Sequence, residues 1–230
     1  MSVSRTAILT GASQGLGLAL ARELARRGWR LVIDARTRDD LGQAVDELSR
    51  VSDVQGVAGD VTDEQHRQAL VAAAGDHIEL LVNNASYLGP SPQPALDAYP
   101  LDELERVLQV NLVAPLALIQ LALPRMSDGC VINLSSDAAV EPYAGWGGYG
   151  ASKAALDQLT AILGAEHPEL RMYAADPGDM RTRMHQDAFP GEDISDRPPP
   201  EASVPGLLAL VDGKLPSGRY QARELLQVTR

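Results

Sequence analysis

Seven short apolar runs alternate with longer amphipathic segments along this 230-residue chain. Strands alternating with helices imply right-handed βαβ units. The expectation is an α/β fold, a doubly wound parallel sheet of about seven strands with helices on both faces. A glycine-rich turn between the first run and the first helical segment points the same way, because such folds bind ligands there. The length supplies a sizeable core but falls short of two full domains, so residues 1–230 are expected to form a single domain.

Residues 6–10 read as a buried strand. In 16–27, Leu16, Ala19, Leu20 and Leu24 share one helical face, and Gly28 ends that helix. Residues 30–35 form a second strand and 39–50 a second helix, with Leu41, Val45 and Leu48 inward. A third strand covers 54–58. A helix over 62–74 is expected to start on Thr62, with Gln65 completing a capping box. The fourth strand is 78–83. Residues 101–123 carry one long helical pattern containing Pro115; a mid-helix proline usually kinks, but a long buried helix can absorb it. Strand 131–135, helix 149–165 and strand 172–175 follow. Residues 183–203 are polar and rich in Asp and Pro, and read as a mobile substrate loop. A short helix over 204–211 and a strand over 218–222 close the chain.

The net charge of −11 repels phosphate backbones and anionic lipid, so neither nucleic acid nor a membrane surface is an expected partner. No apolar stretch is read as reaching the roughly 20 residues of a membrane span. Residues 1–10 lack the features of a secretory signal. The single cysteine, Cys130, allows no intrachain disulfide, which fits a reducing, cytoplasmic setting. It opens an apolar run and reads as a small buried hydrophobe. His66, His77, His167 and His185 have no ligand-like spacing, so no metal site is expected.

Several motifs carry chemistry. Thr10-Gly-Ala-Ser-Gln-Gly-Leu-Gly17 follows a strand and opens a helix. Gly11, Gly15 and Gly17 permit a tight turn and close approach of the backbone to a pyrophosphate, with Ser13 and Gln14 between them. Free N–H groups and the helix dipole at Gly15 and Leu16 favour that anion. Tyr149-Gly-Ala-Ser-Lys153 puts a phenol and an ammonium at i and i+4 on one helical face. Such an ammonium lowers a tyrosine pKa, so that the phenol exchanges a proton with a carbonyl or carbinol oxygen. Ile132-Asn-Leu-Ser-Ser136 ends the fifth strand on the ligand-binding edge. Asn83-Asn84-Ala85 ends the fourth, and Asn111 is an unfavourable residue inside a helix. Each alone has a plain structural reading, as a turn, an exposed pair, a cap or a tolerated polar residue.

Together and in this order, the motifs resemble those of the short-chain dehydrogenases/reductases, from Thr10 to about Thr182. The resemblance implies a Rossmann-type fold, a nicotinamide dinucleotide, and hydride transfer between that cofactor and a carbonyl or alcohol. It implies Tyr149 as proton donor. Lys153 would lower its pKa and hold the nicotinamide ribose. Ser136, rather than Ser135, would orient the substrate carbonyl. Asn111 would kink its helix and hold a water that relays protons to Lys153. Asp60, beside Val61, looks like the adenine contact, and Asn83, near Ala85, the contact beneath the ribose. Pro177, Gly178 and Thr182 look like the segment beside the carboxamide. Homodimers or homotetramers through helices 101–123 and 149–165 are also implied.

The second strand ends Ile33-Asp34-Ala35-Arg36. With Ala35 at the ribose position, strand alternation turns Asp34 to the opposite face. Arg36 then suits a 2′-phosphate, which favours NADP; NAD is the alternative. The stretch from Gly145 to Lys153 is similar to the sepiapterin-reductase and diketone-reductase branch, which favours a small ketone or dicarbonyl. Two departures stand out. Ala222 replaces a pterin-anchoring Asp, and Ser86 replaces the Gly usual after Asn-Asn-Ala. The expected pocket draws on Tyr87, Leu88, Tyr143, Trp146, Met180, Met184 and Phe189.

Overall fold

The structure, a computed structural model, describes residues 5–227. The ends of the expected 1–230 domain, including the start of the segment read for a secretory signal, lie outside the described residues.

Seven strands form one sheet: β1 (Thr6–Leu9), β2 (Arg30–Ala35), β3 (Val54–Ala58), β4 (Leu80–Asn83), β5 (Cys130–Leu134), β6 (Arg171–Asp176) and β7 (Gly218–Gln221). Their order is β3-β2-β1-β4-β5-β6-β7, and every pairing is parallel. The chain runs outward from β1 in both directions, so the switch point lies between β1 and β4. The expected α/β fold is the observed one.

Alternation along the strands makes two cores. Leu31, Ile33 and Ala35 face α1 (Gly15–Arg26), α2 (Arg38–Leu48) and the later α8 (Val204–Asp212). Ile8, Val32, Leu81, Val131 and Met172 face the opposite layer of α3 (Glu64–Ala74), α5 (Ala114–Ala122) and α6 (Gly147–Glu166). In α2, Leu41 and Leu48 are buried while Val45 is only partly so.

Four expectations need correction. The cap of α3 is Asp63, whose carboxylate accepts from the Gln65 N–H at 2.8 Å. Thr62 is turned back instead, with both its N–H and its hydroxyl donating to Asp60 Oδ1. The long helical pattern is not continuous: a π-turn, Gln109–Val113, separates α4 (Leu101–Leu108) from α5, and Asn111, the residue expected to kink the helix, lies in it. Pro115 sits in the first turn of α5. Leu101–Arg125 as a whole is long and apolar enough to cross a membrane by length and composition, contrary to the expectation. Here it packs against α3 and α6. The 183–203 segment is not wholly loop: Thr182 caps a helix, α7 (Arg183–Ala188), accepting from the His185 N–H at 3.3 Å.

Candidate active site

The glycine turn is pinned from three sides. Thr10 Oγ1 accepts the N–H groups of Asn84 and Ala85, each at 3.0 Å. Asn84 Nδ2 donates to the carbonyls of Thr10 and Gly11, each at 2.9 Å. Gly11 N–H donates to Asp34 Oδ1 at 2.6 Å. Gly11 needs its positive φ of 62°. A Cβ on Gly17 would lie 2.5 Å from the Gly11 carbonyl, so only glycine fits there. No side chain caps α1 and no acid stands in its first turn, so its N–H groups face outward as an anion cradle.

Beside this cradle, Asp34 and Ala35 point to opposite faces, as alternation requires. Asp34 is 1 % exposed, and its second oxygen lies 2.9 Å from His66 Nε2. Arg36 stands exposed just beyond the strand. Burial pushes the Asp60 carboxyl up, but the bonds from Thr62 and the charge of Arg36 outweigh it and hold it below the usual range. The Val61 carbonyl is taken by Arg67. Asn83 is turned away from the edge: its Nδ2 donates to Asn133 Oδ1 at 2.8 Å, and Asn133 in turn to Thr160. The neighbouring Asn84, not Asn83, carries the contact to the turn.

The second cluster gathers on the far side of the switch point. Ser136, in extended backbone, caps a short turn and donates to Asp137 Oδ1 at 2.9 Å. Its neighbour Ser135 is buried and does not line the cleft. Tyr149 and Lys153 occupy the first turns of α6, 8 % and 2 % exposed. Lys153 Nζ donates to the Leu134 carbonyl at 2.7 Å and lies 5.4 Å from the Tyr149 ring centroid. In this arrangement the expected lowering of the tyrosine by the lysine does not outweigh burial. Burial pushes the Tyr149 phenol up to about 12, while a hydrogen bond with Ser86 pulls it down and the charges of Asp176 and Asp137 push it further up. Burial brings Lys153 down to about 8, against a rise from Asp157.

Asn111 sits in the π-turn, 1 % exposed. Its Oδ1 accepts from Tyr87 N–H and Ser86 Oγ; its Nδ2 donates to the Tyr87 carbonyl and Ser152 Oγ. That fills the capacity of the amide, so any water relay through Asn111 would use its backbone.

Between the clusters lies a cleft of about 100 Å³, lined by Leu88, Trp146, Met180, Met184 and Ala188, by Ser136, Tyr149, Pro177, Gly178 and Thr182, and by the charged or ionisable Asp137, Asp176, Asp179 and His185. Thr182 joins the two halves: a Cβ on Gly15 would meet its Cγ2 at 3.7 Å. Trp146 packs edge-on to Tyr149 at 5.9 Å and against Phe189 at 5.7 Å. Three expected pocket residues are not in the lining, and Phe189, packed on Trp146, is the first. Tyr87 faces α4, where its hydroxyl donates to Glu103 and Arg106 covers its ring. Tyr143 is 47 % exposed at the rim, donating to Asp137 Oδ2.

The short chain dehydrogenase family model matches residues 5–193. This chain belongs to that family. Among short-chain dehydrogenases, mouse sepiapterin reductase is 36% identical over 197 residues, covering 78% of this chain and 76% of its own length. The benzil reductase of Bacillus subtilis is 33% identical over 187 residues, with 77% and 75% covered. A short-chain dehydrogenase of Shigella flexneri solved with NADP superposes with a TM-score of 0.88 at 27% identity, covering 95% of this chain and 97% of that one. The chain is thus an oxidoreductase of an NAD(P)-dependent family.

Sequence reading missed four parts of this dehydrogenase site. Asp34–His66, Asn84 and Arg219 act between elements far apart in the chain, at separations that no spacing rule marks, and Asp137 bonds its neighbour Ser136 in a turn that carries no recognisable pattern.

Proposed function

We propose that this chain is an NADP-dependent carbonyl reductase acting on small ketones or dicarbonyls, with Tyr149 as the proton donor. The observation that carries the reading is one cleft lined by Ser136, Tyr149 and Thr182, with Thr182 reaching the glycine cradle at Gly15. The cradle at Gly11, Ser13, Gln14, Gly15, Leu16 and Gly17 would hold the pyrophosphate, and Lys153 and Ala85 would hold the ribose, with Asn83 bracing the strand beneath. When bound, the reduced nicotinamide supplies the hydride. Ser136 Oγ orients the substrate carbonyl, and Tyr149 passes its proton to the carbonyl oxygen. Lys153, charged below about 8, stabilises the phenolate that remains.

NADP over NAD is supported by Asp34 and Arg36. Both Asp34 oxygens are engaged, by Gly11 and His66, so neither is open to a ribose hydroxyl. Arg36 is exposed and forms no hydrogen bond or ion pair among the described residues, which suits a 2′-phosphate. The cleft sets apolar walls at Leu88, Trp146, Met180 and Met184 against polar groups at Ser136, Tyr149 and Asp176, and this mixed lining suits a small carbonyl compound. Ala222 is fully buried under α8, where a Cβ on Gly206 would lie 1.7 Å from its carbonyl, so that position offers no pterin anchor. Exposed Leu101, Val113 and Ile162 on the outer helices support pairing with a second copy of the chain.

The test is NADPH oxidation against a panel of aromatic ketones, 1,2-diketones, pterins, sugars and steroids. Turnover concentrated on the ketones and diketones is expected; cofactor binding with no turnover across the panel removes the reductase reading.

A further inference from the structure

We propose that Arg219 is a positioning residue of the catalytic centre, fixing the main chain of Ser136 and offsetting two buried carboxylates behind Tyr149 and Lys153. The proposal rests on the reading of those two side chains as the proton-transfer pair.

Arg219 lies on β7, away from every motif that the sequence marks. Its Nη2 donates to the Ser136 carbonyl at 3.0 Å and to Asp176 Oδ2 at 3.1 Å. Its Nε donates to Asp157 Oδ2 at 2.9 Å. One planar guanidinium therefore ties three segments of the site together. The first is the turn that presents Ser136 Oγ to the cleft. The second is the end of β6, where Asp176 Oδ1 also accepts the Gly178 N–H at 2.9 Å. The third is α6, where Asp157 stands one turn beyond Lys153.

The charge pattern gives the arginine its second task. The side chains of Asp157 and Asp176 are 14% and 5% exposed, and among the described residues Arg219 is the ion-pair partner of both. Burial raises the pKa of each carboxyl, and Arg219 draws it back. Both carboxylates act on the catalytic pair. Asp176, with Asp137 from the turn after β5, pushes Tyr149 up. Asp157 pushes Lys153 up. Removing the cation while leaving the acids would strengthen both effects and free the Ser136 carbonyl.

The chain has two lysines, Lys153 and Lys214, so NMR of carbon-13-labelled lysine follows Lys153 directly, without turnover. Arg219→Met is expected to raise the Lys153 midpoint by about half a unit or more. Arg219→Lys should leave it near the wild-type value. Adding Asp157→Asn to Arg219→Met should bring it back down, and this pair, with Arg219→Lys, carries the test if Arg219→Met fails to fold. In NADPH-dependent turnover, Arg219→Met should lose roughly tenfold in kcat with the KM for NADPH little changed. A Lys153 midpoint unmoved in folded Arg219→Met, or unmoved by the added Asp157→Asn, overturns the proposal. An inactive wild-type protein whose lysine midpoint still responds would remove the reductase reading and keep the charge coupling.

Discussion

Asp34 Oδ1 accepts the backbone N–H of Gly11 at 2.6 Å, so a carboxylate at the end of β2 holds the glycine turn that follows β1. The same carboxylate meets His66 of α3 through its other oxygen. This side chain, which strand alternation turns away from the face of Ala35, is part of the scaffold beneath the turn. Replacing it by Ala strands a buried N–H and a buried imidazole. Asp34→Ala should cost about 2–4 kcal/mol, the sum of two such unmade bonds, while Asp34→Asn, which still accepts from Gly11, should cost less. Denaturant unfolding of both variants checks this. Equal stability of Asp34→Ala and wild type would mean that the turn holds itself.

With Asp34 engaged, Arg36 decides the cofactor. Arg36→Ala should weaken NADPH about 10- to 100-fold, the worth of one or two charge-assisted bonds, and leave NADH nearly unchanged. Fluorescence titration of both cofactors on both proteins measures it. Undiminished NADPH affinity would move the ribose site away from Arg36.

Much of this was legible in the sequence, and the gaps have a common cause. Parallel strands buried on both faces read as continuous apolar runs, as β1, β4 and β5 do, whereas the edge strands β3 and β7 are partly exposed and carry polar residues. The glycine turn and the Tyr149–Lys153 pair are local patterns, legible at fixed spacing. What one strand does to the next is not local. Asp34 meets Gly11 only because the sheet order puts the ends of β2 and β1 side by side, and Arg219 reaches Ser136 only across the end of β6, which lies between β5 and β7. The break in the long helix falls at Asn111, a poor residue for a helix interior, which sits in the π-turn, while Pro115 is absorbed in the first turn of α5. Tyr87 was assigned to the cleft from its place in the chain, and nothing in the sequence tells that Glu103 and Arg106 draw it to α4.

The burial of Lys153 gives a pH dependence with a fixed sign. Its folded value, about 8, lies below its ordinary 10.5. Between these values the unfolded chain holds the proton that the folded one has lost, so stability from this group rises with pH across that window. Below about 8 the full penalty of a buried charge remains. Lys153→Met should therefore be more stable than wild type at pH 7 by an amount that shrinks toward pH 10. Urea unfolding of the two proteins at several pH values tests this, and a difference that grows with pH would reverse the assignment. Because a charged Lys153 supports the phenolate, kcat/KM for carbonyl reduction should also fall as pH rises through about 8.

The proton-transfer role of Tyr149 has the most direct test. Tyr149→Phe removes one hydroxyl from a residue that is 8 % exposed and keeps its ring against Trp146. NADPH turnover should fall at least about a thousandfold, within the range that general acid catalysis contributes, while NADPH binding by fluorescence stays within about twofold of wild type. Near-normal turnover in a Tyr149→Phe protein that binds NADPH normally would contradict it.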